Sequence, residues 1–315
     1  MARGTPPRSL AVELATALRD QITPWLGGHT GRAHAGEAQG GDVTFAIDER
    51  AEAFMERFLA ERAPDVAFYS EDRGLVSRGD GAEWVLVVDP IDGTRPAMAG
   101  LEAACVSVAL APRNAPSGDG PTMGDVQTGC VIEIKSGQRY VANRGEGLEP
   151  TASLSANTDP ARMFWAYGLR GRPMRAIAEV VGDLIDASSV GGGTFDLGSA
   201  SFDLTRIATG QLDAYVEPGP RIVADVPGMR EEFERVGGGV LLNNSPYDVA
   251  AAVLILEEAG AVVTDAYGKP LGPRSLLGSG PDYQLSCVAA ATPELHDTIV
   301  HELNVGVQRL LQKVG

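Results

Sequence analysis

Residues 84–88 of the stretch "WVLVVDPIDGT" (84–94) are apolar at all five positions and rich in β-branched side chains. A strand with no polar face needs cover on both sides, which points to stacked layers of helix and sheet. Pro90 and Gly93 are expected to stop it, since proline cannot donate to a ladder and glycine punctuates turns. Asp89 and Asp92 then stand at the strand's C-terminal edge, where open α/β sheets build their sites.

The rest of the chain supplies those layers. Apolar residues recur at helical spacing over residues 8–26, through Leu10, Leu14, Leu18 and Ile22. In "AIDERAEAFMERFLAER", Ala51, Phe54, Met55, Phe58 and Leu59 form one stripe. The glycine-rich "GGHTGRAHAGEAQGG" between them has no periodicity and reads as a surface loop. "EAACVSVALA" reads as a strand, and "CVIEIKSGQRYVA" as a hairpin turning near Ser136 and Gly137, with "PRNAPSGDGPTMGD" a loop between them. In the second half, "MFWAYG", "DAYVE" and "AVVTDAYG" carry strands. Helices are expected over 173–187, in "SASFDLTRIATG" and "SPYDVAAAVLILEEAG", and over 293–313. The glycine runs at 191–193 and 237–239 are loops, lacking the spacing of a nucleotide fingerprint. The Gly, Pro, Ser and Thr-rich segment 145–160 marks a domain boundary, dividing the chain into residues 1–155 and 156–315.

Charge narrows the partners. With 42 acids against 26 bases, the net charge of −16 disfavours a nucleic-acid polymer or an anionic membrane surface. No apolar run approaches a membrane span, and the N-terminal segment is charged too often for a signal peptide. Cys105, Cys130 and Cys287 have no metal-ligand spacing and read as buried thiols of a reducing compartment, the cytoplasm.

Four acidic clusters remain: "GDVTFAID" (Asp42, Asp48), "YSEDRG" (Glu71, Asp72), "DPIDGT" (Asp89, Asp92, Thr94) and "SPYDVAAA" (Asp248). Acids from separate loops can hold hard divalent cations, and two such ions can clamp a phosphoryl displacement. Gly93 and Thr94 would offer amides to phosphate if a helix begins there. Each cluster also has a structural explanation. Asp89 and Asp92 suit turn bonds, Glu71 a solvated surface, and Asp248 a capping box behind Ser245 and Pro246. His29 and His34 fall in the glycine-rich loop, and His296 and His301 on the terminal helix, where they are expected to be exposed. No D-x-D or C-x₅-R phosphatase motif is present.

Taken in order, "GDVTFAID", "YSEDRG", "WVLVVDPIDGT", "LGSASFDLTRIATGQLDAYVE" and "YDVAAAVLILEEAGAVVTDAYGKPL" resemble the inositol monophosphatase family, within the lithium-sensitive, Mg²⁺-dependent sugar phosphatases. The resemblance implies a layered αβαβα sandwich and a homodimer. It also implies two or three Mg²⁺ ions held by Glu71, Asp89, the Ile91 carbonyl, Asp92 and Asp248. Thr94, oriented by Asp48, would act with Glu71 on the attacking water. Asp92 and the amides of Gly93 and Thr94 would meet the substrate's phosphate end, and Gly198, Ser199, Ala200 and Glu217 its alcohol portion.

Three departures touch the substrate rather than the metal ligands. "DGTRPAMAG" puts Pro96 and Ala97 where relatives carry asparagine and phenylalanine, and Tyr247 replaces a tryptophan. Residues 218–246 form an insertion between Glu217 and Asp248, expected to act as a lid or to reach the ligand. The expected activity is hydrolysis of a small phosphorylated polyol or sugar such as an inositol monophosphate. The alternatives are fructose 1,6-bisphosphate, a 3′-phosphonucleotide, an unusual pathway sugar, or a member that binds metal and phosphate without turnover.

Overall fold

A computed structural model of the chain describes residues 7–28, 34–37, 43–79, 81–114 and 120–314. Helix α1 (Arg8–Ile22) buries its leucine stripe. Strand β1 (His34–Glu37) pairs antiparallel with β2 (Val43–Phe45), so part of the glycine-rich stretch read as loop is a strand. A neighbouring backbone supplied the partner that its side-chain pattern does not announce. His29 and Asp42 lie outside the described residues. Helix α2 (Ala46–Arg62) covers the predicted run and buries Ala51, Met55 and Leu59, with Phe54 and Phe58 at its margin.

Seven strands then form the first sheet. They are β3 (Ala67–Ser70), β4 (Gly74–Val76), β5 (Trp84–Asp92), β6 (Cys105–Pro112), β7 (Thr128–Glu133), β8 (Arg139–Asn143) and β9 (Gly147–Glu149), with the short helix α3 (Thr94–Ala99) after β5. Their order is β4-β3-β5-β6-β7-β8-β9. All nine residues of β5 are buried, as an apolar two-faced strand requires. It does not stop at Pro90 as expected. β3 pairs with β5 only as far as Val88, and the β6 ladder is interrupted between Asp89 and Asp92. Pro90 sits in that gap, where no ladder donor is needed.

The second sheet has five strands in the order β11-β10-β12-β14-β13. In chain order its elements are β10 (Phe164–Tyr167), α4 (Met174–Ser188), β11 (Gly193–Phe195), α5 (Ala200–Ala208), β12 (Ala214–Glu217), α6 (Gly219–Asp225), α7 (Met229–Val236), α8 (Pro246–Ala259), β13 (Val262–Thr264), β14 (Cys287–Ala290) and α9 (Pro293–Val314). β11, beginning within the first glycine run, is a short edge strand parallel to β10 rather than a loop.

Packing sets the layer order. Leu14, Leu18 and Met55 of α1 and α2 lie against Leu86, Val106 and Leu110 on one face of the first sheet. Leu204 and Leu254 of α5 and α8 join Val85 and Val87 to Tyr215 and Ala289, between the two sheets. Ile177, Val181 and Leu303 of α4 and α9 cover Trp165, Val216 and Val288 on the far side. The result is the expected αβαβα sandwich. Each fully buried Leu or Val adds roughly 1.5–3 kcal/mol of hydrophobic stabilisation. α8 is apolar nearly all round because it is walled in on all sides. It rests on the first sheet at Gly129, where a Cβ would stand 2.6 Å from the Ala251 carbonyl.

His296 is buried at 4% exposure, contrary to expectation, with Nε2 2.8 Å from Thr264 Oγ1. The insertion is no open flap. Its helices α6 and α7 place Ile222, Met229 and Phe233, with Val226 between the helices, in the core beneath the second sheet. Arg221, also buried, donates to the Ala266 carbonyl at 2.6 Å and to Asn304 Oδ1 at 2.7 Å.

Candidate active site

The ends of several elements open onto one cavity of about 460 Å³, a size that suits a small ligand. The interrupted end of β5 supplies Asp89, Ile91 and Asp92, the turn into α3 supplies Gly93 and Thr94, and the first turn of α2 supplies Asp48. Glu71 follows β3, Asp248 lies in the first turn of α8, and Ser199 caps α5.

Asp89, Asp92 and Asp248 offer carboxylate oxygens that all lie within 4.8 Å of one another. Each side chain is held by its surroundings. Asp89 Oδ1 accepts from the Ile91 amide at 2.9 Å. Asp92 Oδ2 accepts from Ser199 Oγ at 2.9 Å and from the Ser201 amide at 2.5 Å, which ties the first sheet to α5. Asp248 Oδ2 accepts from the Ser245 amide at 2.5 Å, so the capping role is real. The same carboxylate also belongs to the cluster, and the two roles coexist. Ser201 Oγ donates to the Asp248 carbonyl at 2.6 Å, joining α5 to α8 at the site.

Asp48 repeats this arrangement. Its Oδ2 accepts from the Phe45 amide at 2.9 Å, and its Oδ1 lies 3.0 Å from Thr94 Oγ1. The Thr94 hydroxyl is also 3.2 Å from the Ile91 carbonyl. Glu71 is half-buried on the same cavity wall, outside the tight group of three.

Crowding acids away from water raises their pKa values. Burial lifts Asp48 and Asp248 to about 7 and Asp92 to about 6. Asp89 and Glu71 are raised well above the usual carboxylate range, by burial first and then by Asp92 and Asp248 respectively. An all-oxygen, mutually repelling donor set fits a hard divalent cation, which would relieve the repulsion.

Two arginines that the motifs do not include face this cavity. Arg170 and Arg172 lie on the loop after β10, in "YGLRGRP". Their position beyond the C-terminal end of a strand was the available signal. Arg170 lines the cavity, where loss of water around its guanidinium and then the charge of Arg172 lower its pKa to about 10. Arg172 is buried and paired with Glu217. Glu217 therefore does not meet the expectation of a substrate-contacting acid. It is 0% exposed, and its oxygens are taken by Arg172 and the Gly219 amide. Gly198, Ser199 and Ala200 do line the cavity.

An all-carboxylate centre on a cavity of this size suits divalent-cation chemistry on a small ligand. The inositol monophosphatase family profile matches residues 8–307, and the chain belongs to that family. The family is metal-dependent. The chain is 29% identical over 307 residues to the fructose-1,6-bisphosphatase/inositol-1-monophosphatase of Methanothermobacter thermautotrophicus, covering 95% of this chain and 96% of that one. It is 25% identical over 235 residues to the inositol-1-monophosphatase of Mesorhizobium japonicum, covering 72% and 74%. A Thermotoga maritima inositol monophosphatase structure shares the fold, with a TM-score of 0.67 at 20% identity over 96% and 98% of the two chains. Among the described residues no helix is long and apolar enough to cross a membrane.

Proposed function

We propose that the protein is a Mg²⁺-dependent phosphomonoesterase acting on a small phosphorylated polyol or sugar, of inositol monophosphate type. The observation that carries this reading is the joining, in one cavity, of the Asp89, Asp92 and Asp248 cluster and the Thr94–Asp48 hydrogen bond. Asp89, Asp92, Asp248, Glu71 and the Ile91 carbonyl would hold two or three ions. Bound Mg²⁺ supplies positive charge for the phosphate oxygens and acidifies a water.

The chain's own groups do the rest. The Asp48 carboxylate takes the Thr94 hydroxyl proton as a hydrogen bond, which leaves the Thr94 oxygen as an acceptor for the attacking water. Glu71 stands on the same wall to take a proton. The amides of Gly93 and Thr94 would meet the phosphate, and the left-handed backbone of Gly93 (φ 90°) makes that turn. In the net reaction water attacks phosphorus, the bond from phosphorus to the alcohol oxygen breaks, and the leaving alkoxide takes up a proton. The products are the free alcohol and hydrogen phosphate.

Fructose 1,6-bisphosphate is a second substrate reading, supported by the name of the Methanothermobacter relative. The three free, buried cysteines support a cytoplasmic enzyme. The test is phosphate release from a panel of inositol, sugar and nucleotide phosphates, with Mg²⁺ and with excess EDTA. Mg²⁺-dependent release from at least one polyol phosphate is expected. Full activity in EDTA would remove the metal assignment.

A further inference from the structure

We infer that Glu52, on α2, is a positioning residue for Glu71, and that α2 is the bracket holding Glu71 in register with Thr94 across the cavity. This rests on the phosphatase reading and deepens it.

The first argument is how differently the acids of the site are held. The carboxylates of Asp48, Asp89, Asp92 and Asp248 each accept from a backbone amide, at 2.9, 2.9, 2.5 and 2.5 Å. Among the described residues, no hydrogen bond or ion pair reaches the Glu71 carboxylate. The turn that carries Glu71 has to fix its place instead.

The second argument is what fixes that turn. Glu71 lies directly between Ser70, the last residue of β3, and Asp72. Ser70 is fully buried and donates from Oγ to Glu52 Oε2 at 2.9 Å. The same hydroxyl lies 3.4 Å from the Arg73 amide. The Arg73 guanidinium pairs with Glu56 at 2.6 Å and with Glu49 at 2.7 Å. Glu49, Glu52 and Glu56 recur at helical spacing, so one side of α2 grips the chain on either side of Glu71. Thr44 Oγ1 adds a bond to Asp72 Oδ1 at 2.7 Å. The Arg73 pairs are partly exposed, where ion pairs contribute little. Glu52 is 1% exposed, so its bond to Ser70 is the one from which water is excluded.

The third argument is the other contact that α2 makes. Asp48 stands one turn before Glu52 on the same side of the helix and lies 3.0 Å from Thr94 Oγ1. Glu71 and Thr94, the two groups assigned to the attacking water, are thus tied to successive turns of α2. The helix sets their separation without a direct contact between them. Hydrogen bonds standing behind a metal-binding carboxylate are typically worth about 10–100-fold in metal affinity or activity.

Three variants test the proposal. Glu52→Met removes the acceptor at similar volume, Ser70→Ala cuts the same bond from the other side, and Glu52→Gln keeps an oxygen for Ser70. On the best substrate of the panel, Glu52→Met and Ser70→Ala are each expected to lower kcat about tenfold or more, with KM within about twofold. Glu52→Gln should recover part of the loss. Mg²⁺ binding, measured by calorimetry without substrate, should weaken about tenfold in Glu52→Met. A cycle with Glu71→Gln separates positioning from general structure, in kcat and in Mg²⁺ affinity alike. A residue that acts through Glu71 adds no further loss once Glu71 is changed, whereas a structural defect multiplies with it. Should Glu52→Met fail to fold, Ser70→Ala carries the same cycle. Absence of phosphate release from every compound by the wild type would reject the phosphatase reading, and the calorimetric cycle would still decide the role of Glu52. Wild-type kcat and Mg²⁺ affinity in folded Glu52→Met, or losses that multiply with those of Glu71→Gln, would overturn the proposal.

Discussion

Thr94 Oγ1 lies 3.0 Å from Asp48 Oδ1, joining residues 46 positions apart in sequence at the mouth of the carboxylate cluster. Thr94 starts the helix after β5, Asp48 lies in the first turn of α2, and one hydrogen bond spans the two. Thr94→Ala removes the hydroxyl that orients water, a role exercised mainly in the transition state. It is expected to lower kcat by about 100-fold or more with little change in KM. Steady-state kinetics on the best substrate of the panel checks this; a rise in KM alone would make Thr94 a binding residue.

Asp92→Asn should preserve the fold, because the amide oxygen can still accept from Ser199 and Ser201. It removes one of the three clustered charges. Turnover is expected to fall by orders of magnitude, and Mg²⁺ affinity by calorimetry to fall with it. Near-native turnover would put the site elsewhere.

Crowded acids give the metal-free protein an unusual pH profile. Asp48 and Asp248 titrate near 7 and Asp92 near 6, against an ordinary 3.8. A carboxyl whose folded pKa is raised holds its proton more tightly when folded. Its contribution is full below about pH 4 and is lost as pH rises through 6 to 7. The Tm in EDTA should therefore fall between pH 5 and pH 8, and added Mg²⁺ should raise it more at pH 8 than at pH 6. Thermal scans at fixed ionic strength measure both, and a Mg²⁺ gain independent of pH would contradict the account.

Gly93→Ala is expected to damage fold and activity together. A Cβ there would stand 2.6 Å from the Ala103 carbonyl and 2.9 Å from Ser199 Cβ, on a backbone at φ 90°. A loss of about 1–3 kcal/mol in a denaturant titration is expected from the strain alone. Thr94 would shift with the turn, so kcat should fall as well.

The insertion divides into a structural part and a ligand-facing part. Phe233→Ala, in the core, should cost about 3–5 kcal/mol of stability without altering substrate ranking. Leu242→Ala, half-buried on the cavity wall, should leave Tm within a few degrees and change that ranking. Denaturation curves, with kcat/KM across the inositol, sugar and nucleotide phosphates, separate the two outcomes.

The sequence by itself determined the elements and the metal-ligand candidates. Unbroken apolar runs and 3.6-residue stripes reflect burial that each element demands wherever it packs, so α2 and α8 were legible with their ends close to those observed, and β5 with its start but not its end. The acidic clusters were legible as candidates, and their order along the chain matched the family's motifs, although turn and capping roles were equally open to them and Asp89 and Asp248 fill those as well. Tertiary structure decided what depends on a partner distant in the chain. Pro90 remains in a strand because β3 ends at Ser70. His296 is buried because Thr264 lies across from it, and the Gly193 edge strand forms because β10 offers its backbone. Glu217 shows the same limit most clearly. Its place in the motif suggested a ligand contact, but Arg172, 45 residues earlier, pairs with it and both are buried. Local sequence carries an element's own preference for burial, whereas pairing between distant charges and strands exists only once the layers have stacked.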